Sequence, residues 1–264
     1  MSLDATRSRR RLFKAGTTGA EIENDVALRR YLKNVSAYTG KFLATTTGAS
    51  IAVISSVSVL PHLGIRSRHL PGLLSGMWFG ANLGCVYHAW NVGQAGKSED
   101  ERENHAYWMH ALMGVAISPA IVMYRSVVPQ ALVATTALVA GSITTALFLP
   151  KGRLLSWGSA LYTSLWGLVG VGTISVLFPI LGWNIASEAA QAVQLFGGVA
   201  LFTVYNAFDT HAVIRDYQSG LSDAIGHATN YSLNAINIFV KLLDILYPND
   251  EEEDMSFQRE KKRK

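Results

Sequence analysis

LFGGVALFTVYNAFDTHAVIRDYQ at 195–218 and NYSLNAINIFVKLLDILY at 230–247 decide how the rest of the chain is read. The first is an apolar run that ends on a carboxylate, Asp209. The second is largely apolar but for a stripe of amides and one lysine. At about 100° per residue, Asn230, Asn234, Asn237 and Lys241 fall on one helical face. Leu233, Ile236, Ile238, Phe239 and Val240 occupy the other faces. A polar stripe on such a helix turns toward protein or water, because lipid offers it no partner. The C-terminal third therefore reads as two membrane helices with polar groups meeting between them.

Working outward, five more apolar blocks precede these two. The spans are expected at about 37–60, 70–92, 105–124, 130–149, 156–181, 189–209 and 227–247. Each is near the roughly 20 residues that cross a bilayer. Charges gather in the breaks: Arg66 and Arg68, KSEDERE at 97–103, Lys151 and Arg153, Arg215 and Asp216. The fold class this predicts is an all-α membrane protein of about seven transmembrane helices. Its divisions are a basic arm with an amphipathic lead-in at 1–36, a helical domain at 37–247 and a charged tail at 248–264. Gly76, Gly80 and Gly84 form a GxxxGxxxG run in the second span, the spacing that lets helix backbones approach closely.

The composition agrees. Of 264 residues, 49% are hydrophobic and 16% charged, and the apolar ones come in long blocks. The net charge of +4 resides in the tails, which favours an anionic lipid surface over nucleic acid as its explanation. The single cysteine, Cys85, excludes an internal disulfide. The first twenty residues carry Arg7, Arg9, Arg10, Arg11 and Lys14 with Asp4 as the one early acid, a pattern resembling a mitochondrial presequence or a basic docking arm. The tail pairs an acidic block, DEEED at 250–254, with a basic one, REKKRK at 259–264.

Asp209 is the strongest candidate by residue type, since a carboxylate in an apolar span is costly and calls for a function. The alternative is that it caps the span at the membrane surface. The seven histidines are scattered; His105 and His110 are five apart, not the i, i+4 spacing of a helical metal pair. No P-loop, GxSxG or zincin motif is present, so no metal, no cofactor and no enzymatic activity are expected.

Four stretches together resemble the Bax inhibitor family of membrane proteins, and within it the mitochondrial branch. They are ENHAYWMHALMGVAISPAIVMY at 103–124, ALFLPKGRLLSWGSALYTSLWGLVGVGTISVLFP at 146–179, VALFTVYNAFDTHAVI at 199–214 and YSLNAINIFVKLL at 231–243. Their order and spacing carry the resemblance, which runs from about residue 30 to residue 246. It implies a seven-helix bundle with the last helix central. It also implies two aspartates sharing a proton on the last two helices, gating a pH-sensitive calcium path with an arginine on the second helix. The mitochondrial branch is linked to calcium–proton exchange, crista organisation and an inner-membrane protease.

Carried over position by position, Asp209 matches the first aspartate, with Phe208 and His211 where the motif has tyrosine and glutamine. The second aspartate falls on Asn234, and the arginine falls near Ser75. Calcium takes six to eight oxygens and usually more than one carboxylate; this ion-gate remnant of Asp209, Asn234 and Ser75 supplies one. Two functions are therefore expected to compete: an accessory or structural subunit of a mitochondrial inner-membrane complex, or a calcium–proton exchanger or leak channel. The partners expected are membrane lipids, with cardiolipin a candidate, and other inner-membrane subunits.

Overall fold

A computed structural model of the chain describes residues 18–59, 70–94, 96–180 and 184–247. The basic arm at Arg7–Lys14, the break at Arg66 and Arg68 and the charged tail lie outside the described residues. A short α1 (Thr18–Asn24) leads into α2 (Val26–Val59). Then follow α3 (Leu70–Val92), α4 (Glu99–Met123), α5 (Val128–Phe148) and α6 (Gly158–Ile180). The helix α7 (Asn184–Ala192) passes through a π turn at Val193–Gly197 into α8 (Gly198–Gln218), and α9 (Ala224–Leu246) closes the order. No β-strand occurs among the described residues. Counting α7 and α8 as one, seven helices are long. Among the described residues three segments, Glu99–Met123, Arg125–Phe148 and Arg153–Ile174, are apolar and long enough to cross a membrane.

Two boundaries differ from the sequence reading. The lead-in and the first span are one helix: α2 runs 34 residues, about 50 Å, with its exposed Arg29, Arg30 and Lys33 near one end. The sixth span does not stop at Asp209; α8 continues for nine residues beyond it. Thr210 and His211 look like a polar exit in the sequence, yet both are buried. Asp209 thus sits inside a helix and is not a surface cap.

Local chemistry sets the other ends. Ser98 and Glu101 form a capping box, the Ser98 side chain accepting from the Glu101 N–H and the Glu101 carboxylate from the Ser98 N–H. The acidic stretch at 97–103 is therefore the start of α4, with Glu99 and Asp100 favourably placed at its positive end. Asp223 caps α9, accepting from the Gly226 N–H at 2.9 Å. Gly220 (φ 77°) makes the left-handed turn between α8 and α9 that other residues adopt only with strain.

The last helix is the axis of the bundle. It packs against α2, α4, α5 and α8. At its N-terminal end Ile225 and Ala228 join a cluster with Leu28, Val35 and Phe42 of α2. At the other end Ile238, Phe239 and Leu243 join Val127 and Ala131. One helix buried against several neighbours is what a period-3.6 stripe with apolar residues on the remaining faces produces.

The glycines sort by what they touch. In α3, Gly84 faces the Leu112 side chain of α4, whereas a Cβ at Gly76 or Gly80 meets nothing within 4 Å. The tightest backbone approach is at Gly114, where α4 crosses α2. Gly76→Ala and Gly80→Ala are accordingly expected to leave stability within about 0.5 kcal/mol of the parent or raise it slightly. Thermal unfolding of the detergent-solubilised variants checks this; a loss above about 1 kcal/mol would assign these glycines a helix contact.

Candidate functional site: a buried polar seam along the last helix

The stripe on α9 turns inward from Asn234 onward. Asn234 Nδ2 donates to Asp209 Oδ2 at 2.7 Å, and both residues are buried, at 7% and 8% exposure. Helix α8 delivers the carboxylate and α9 the amide, so the bond ties the last two helices together. One turn before Asn234 on the same helix, the Tyr231 hydroxyl donates to Thr210 Oγ1 at 3.0 Å, and Thr210 in turn donates to the Asn206 carbonyl. The Asn206 side chain is fully buried and neither its oxygen nor its nitrogen has a hydrogen-bond partner. An amide without partners in such a place is costly.

The two ends of the stripe behave differently. Asn230 is exposed, contrary to the expectation that the whole stripe faces inward. It lies only two turns from the Asp223 cap and lines a cavity of about 750 Å³ with Arg102, Asp216, Asp223 and His227. There Arg102 pairs with Asp223 and its Nε donates to the Val92 carbonyl at 2.7 Å. Asn237 turns back on its own helix and donates to the Leu233 carbonyl. Lys241 Nζ donates to the Gln194 carbonyl at 3.0 Å, inside the π turn. Its stem crosses Gly198 so closely that a Cβ there would collide with Lys241 Cε. The π turn thus exposes a carbonyl to the one cation of the stripe.

A second part of the seam was not singled out in the sequence. His110 of α4 is fully buried and stacks on Phe42 with ring centroids 4.8 Å apart. Its Nδ1 lies 3.2 Å from Thr46 Oγ1 of α2, and its Nε2 lies 3.0 Å from Ser232 Oγ of α9. A neutral imidazole offers one donor and one acceptor, so one hydroxyl accepts from the ring while donating to its own backbone, and the other turns its single hydrogen from its backbone carbonyl to the ring. His110 therefore clamps three helices at once. Nearby, Ser50 Oγ donates to the Gly114 carbonyl at 2.9 Å, across the same α2–α4 crossing.

Of the predicted gate residues, Asp209 and Asn234 meet. Ser75 falls within α3, but its side chain lies outside the described residues. Among the described residues, no group of three or more His, Cys, Asp and Glu side chains is arranged to hold a metal ion. The seam can hold helices in register, and it can present one carboxylate and several neutral oxygens. It does not place two carboxylates together at Asp209.

The family model described as Inhibitor of apoptosis-promoting Bax1 matches residues 28–251, most of the chain. The chain belongs to the Bax inhibitor family. The chain is similar to the growth hormone-inducible transmembrane protein of Rattus norvegicus, 24% identical over 234 residues, 85% of this chain. The chain spans 66% of that relative's length. No solved structure matches the chain. The matched region covers α2 to α9, and so the whole polar seam lies inside the Bax inhibitor family's portion of this membrane protein.

The Asp209–Asn234 contact carries a direct expectation. Asn234→Leu removes the donor and leaves a buried carboxylate without its amide. The loss should be on the order of 1 kcal/mol, the scale of interhelical hydrogen bonds in membranes. Unfolding in detergent tests it, and an unchanged midpoint would mean that the contact does not stabilise the bundle.

Proposed function

We propose that this protein is a structural or accessory subunit of a mitochondrial inner-membrane complex, with the respiratory chain a candidate. In this reading it is a multi-pass protein built on the Bax inhibitor bundle, with a cation gate that has lost its function. The observation that carries the reading is the partner of Asp209. A carboxylate opposed to a second carboxylate can share and pass a proton, and the pair titrates as a unit. Asn234 puts an amide there, which can hold the carboxylate but cannot trade protons with it. One carboxylate also falls short of the oxygen set that calcium takes. The relative's name supports a transmembrane setting, and the resemblance to the family's mitochondrial branch supports the compartment.

A second reading is kept because of Asn206. Its unpartnered buried amide, one turn from Asp209 on α8, is a neutral oxygen donor available to an ion. That favours a calcium–proton exchanger or leak channel with a redrawn site. The two readings separate on purification from native membranes in mild detergent. The subunit reading expects fixed stoichiometry with other membrane proteins, and release from them when residues 1–20 or 250–264 are deleted. A protein that runs alone, with tails that change nothing, contradicts it.

A further inference from the structure

We propose that the end of the bundle where α5 turns into α6 carries a binding site for one anionic phospholipid. The site has two parts that meet. The first is a pocket of about 200 Å³ lined by Thr18, Lys151, Gly152, His211, Arg215 and Gln218. Its lining supplies two cations and no carboxylate. Arg215 pairs with Asp216 through Nη2 at 2.7 Å and Nε at 2.8 Å, and 52% of its side chain stays exposed. Arg153, exposed two residues past Lys151, adds a third positive charge to the same turn.

The second part is a groove of about 430 Å³ between α5 and α8, lined by Leu138, Gly141, Ser142, Val204 and Trp157. Its surface is almost wholly apolar. The two parts adjoin at two places. Leu149 lines the groove while its carbonyl accepts from both the N–H and the hydroxyl of Thr18, on the pocket's edge. Leu154 and Leu155, neighbours in one turn, line the groove and the pocket respectively.

A cationic pocket at the head of an apolar groove matches the shape of a phospholipid. The phosphate diester accepts charge-assisted hydrogen bonds from lysine and arginine, and an acyl chain lies in the groove. The level is right for a membrane surface. Lys151 and Arg153 flank the end of the Arg125–Phe148 segment, which is apolar and long enough to span, and Trp157 is half exposed beside them, as interfacial tryptophans are. Two cations in the pocket select an anionic headgroup, because a zwitterionic one brings its own amine against them. A free phosphate ion would fill the pocket and leave the groove empty. This site does not depend on whether the chain acts as a subunit or as an exchanger.

The test uses the full chain purified in detergent and mixed micelles of phosphatidylglycerol or phosphatidylcholine. Retained lipid is read by native mass spectrometry, and the thermal midpoint is read alongside. The expected result is selective retention of phosphatidylglycerol with a raised midpoint. Lys151→Glu with Arg215→Glu should weaken retention by about tenfold or more, the scale for two cations at an anionic surface. Gly141→Leu tests the groove independently of charge; a Cβ at that groove-lining glycine meets nothing within 4 Å, and the thermal midpoint without lipid checks that the variant is folded. It should also lower retention. Equal retention of both lipids overturns the proposal, as does wild-type retention in either variant. Inorganic phosphate raising the midpoint as much as the lipid also overturns it, by reducing the site to an anion pocket.

Discussion

Gly114→Val is expected to destabilise the folded bundle by about 3 kcal/mol, the upper range for overpacking a close contact. At this crossing α2 and α4 come so close that a Cβ on residue 114 would collide with the Thr46 carbonyl oxygen and lie 2.8 Å from Ala49 Cβ. The obstruction is backbone and a Cβ, neither of which can rotate away. Relief would require the helices to part, and parting would break the Ser50 hydrogen bond to the Gly114 carbonyl as well. Between membrane helices, packing and such bonds are the main attraction, since lipid is as apolar as the side chains. Denaturant or thermal unfolding in detergent measures the loss. Gly76→Val is the matched control, because a Cβ at that glycine meets nothing within 4 Å.

His110→Ala is the second large effect, about 3 kcal/mol, the range for emptying a fully buried ring site. The substitution removes the stack on Phe42 and strands two buried hydroxyls, Thr46 and Ser232, on different helices. Without the ring each can donate to its own backbone, Thr46 to Phe42 and Ser232 to Thr229. The cost therefore comes mainly from the cavity and from the lost tie between α2, α4 and α9. His110→Gln, which keeps a donor and an acceptor in the site, should recover part of it. The check is the unfolding free energy of both variants; equal losses would remove the hydrogen bonds from the account.

These two sites show where sequence reading reaches its limit. The contact between Asp209 and Asn234 was legible through the family resemblance, which places both residues in paired motifs on the last two helices; the 3.6-residue stripe on α9 by itself says only that polar groups turn toward a neighbour. The helices themselves were legible from apolar length, and α3 at Leu70–Val92 matches its expected bounds. The continuation of α8 past Asp209 was not, since Thr210 and His211 read as an exit until their burial is known. His110 was also hidden. Its partners, Thr46 and Ser232, come from helices 64 and 122 residues away, and no spacing within α4 announces them. The GxxxG run at 76–84 shows the reverse case. The periodic motif is plain, but only Gly84 meets a neighbouring helix, while the close crossing falls at an isolated glycine in α4.

We propose that this Bax inhibitor family protein works by contact and not by moving calcium. The most direct measurement is calcium flux into liposomes holding the purified protein, with and without a pH gradient, for the parent chain and for Asp209→Asn. The account predicts flux no greater than in protein-free liposomes, unaltered by the gradient or the substitution. A pH-dependent calcium flux that Asp209→Asn abolishes would contradict it.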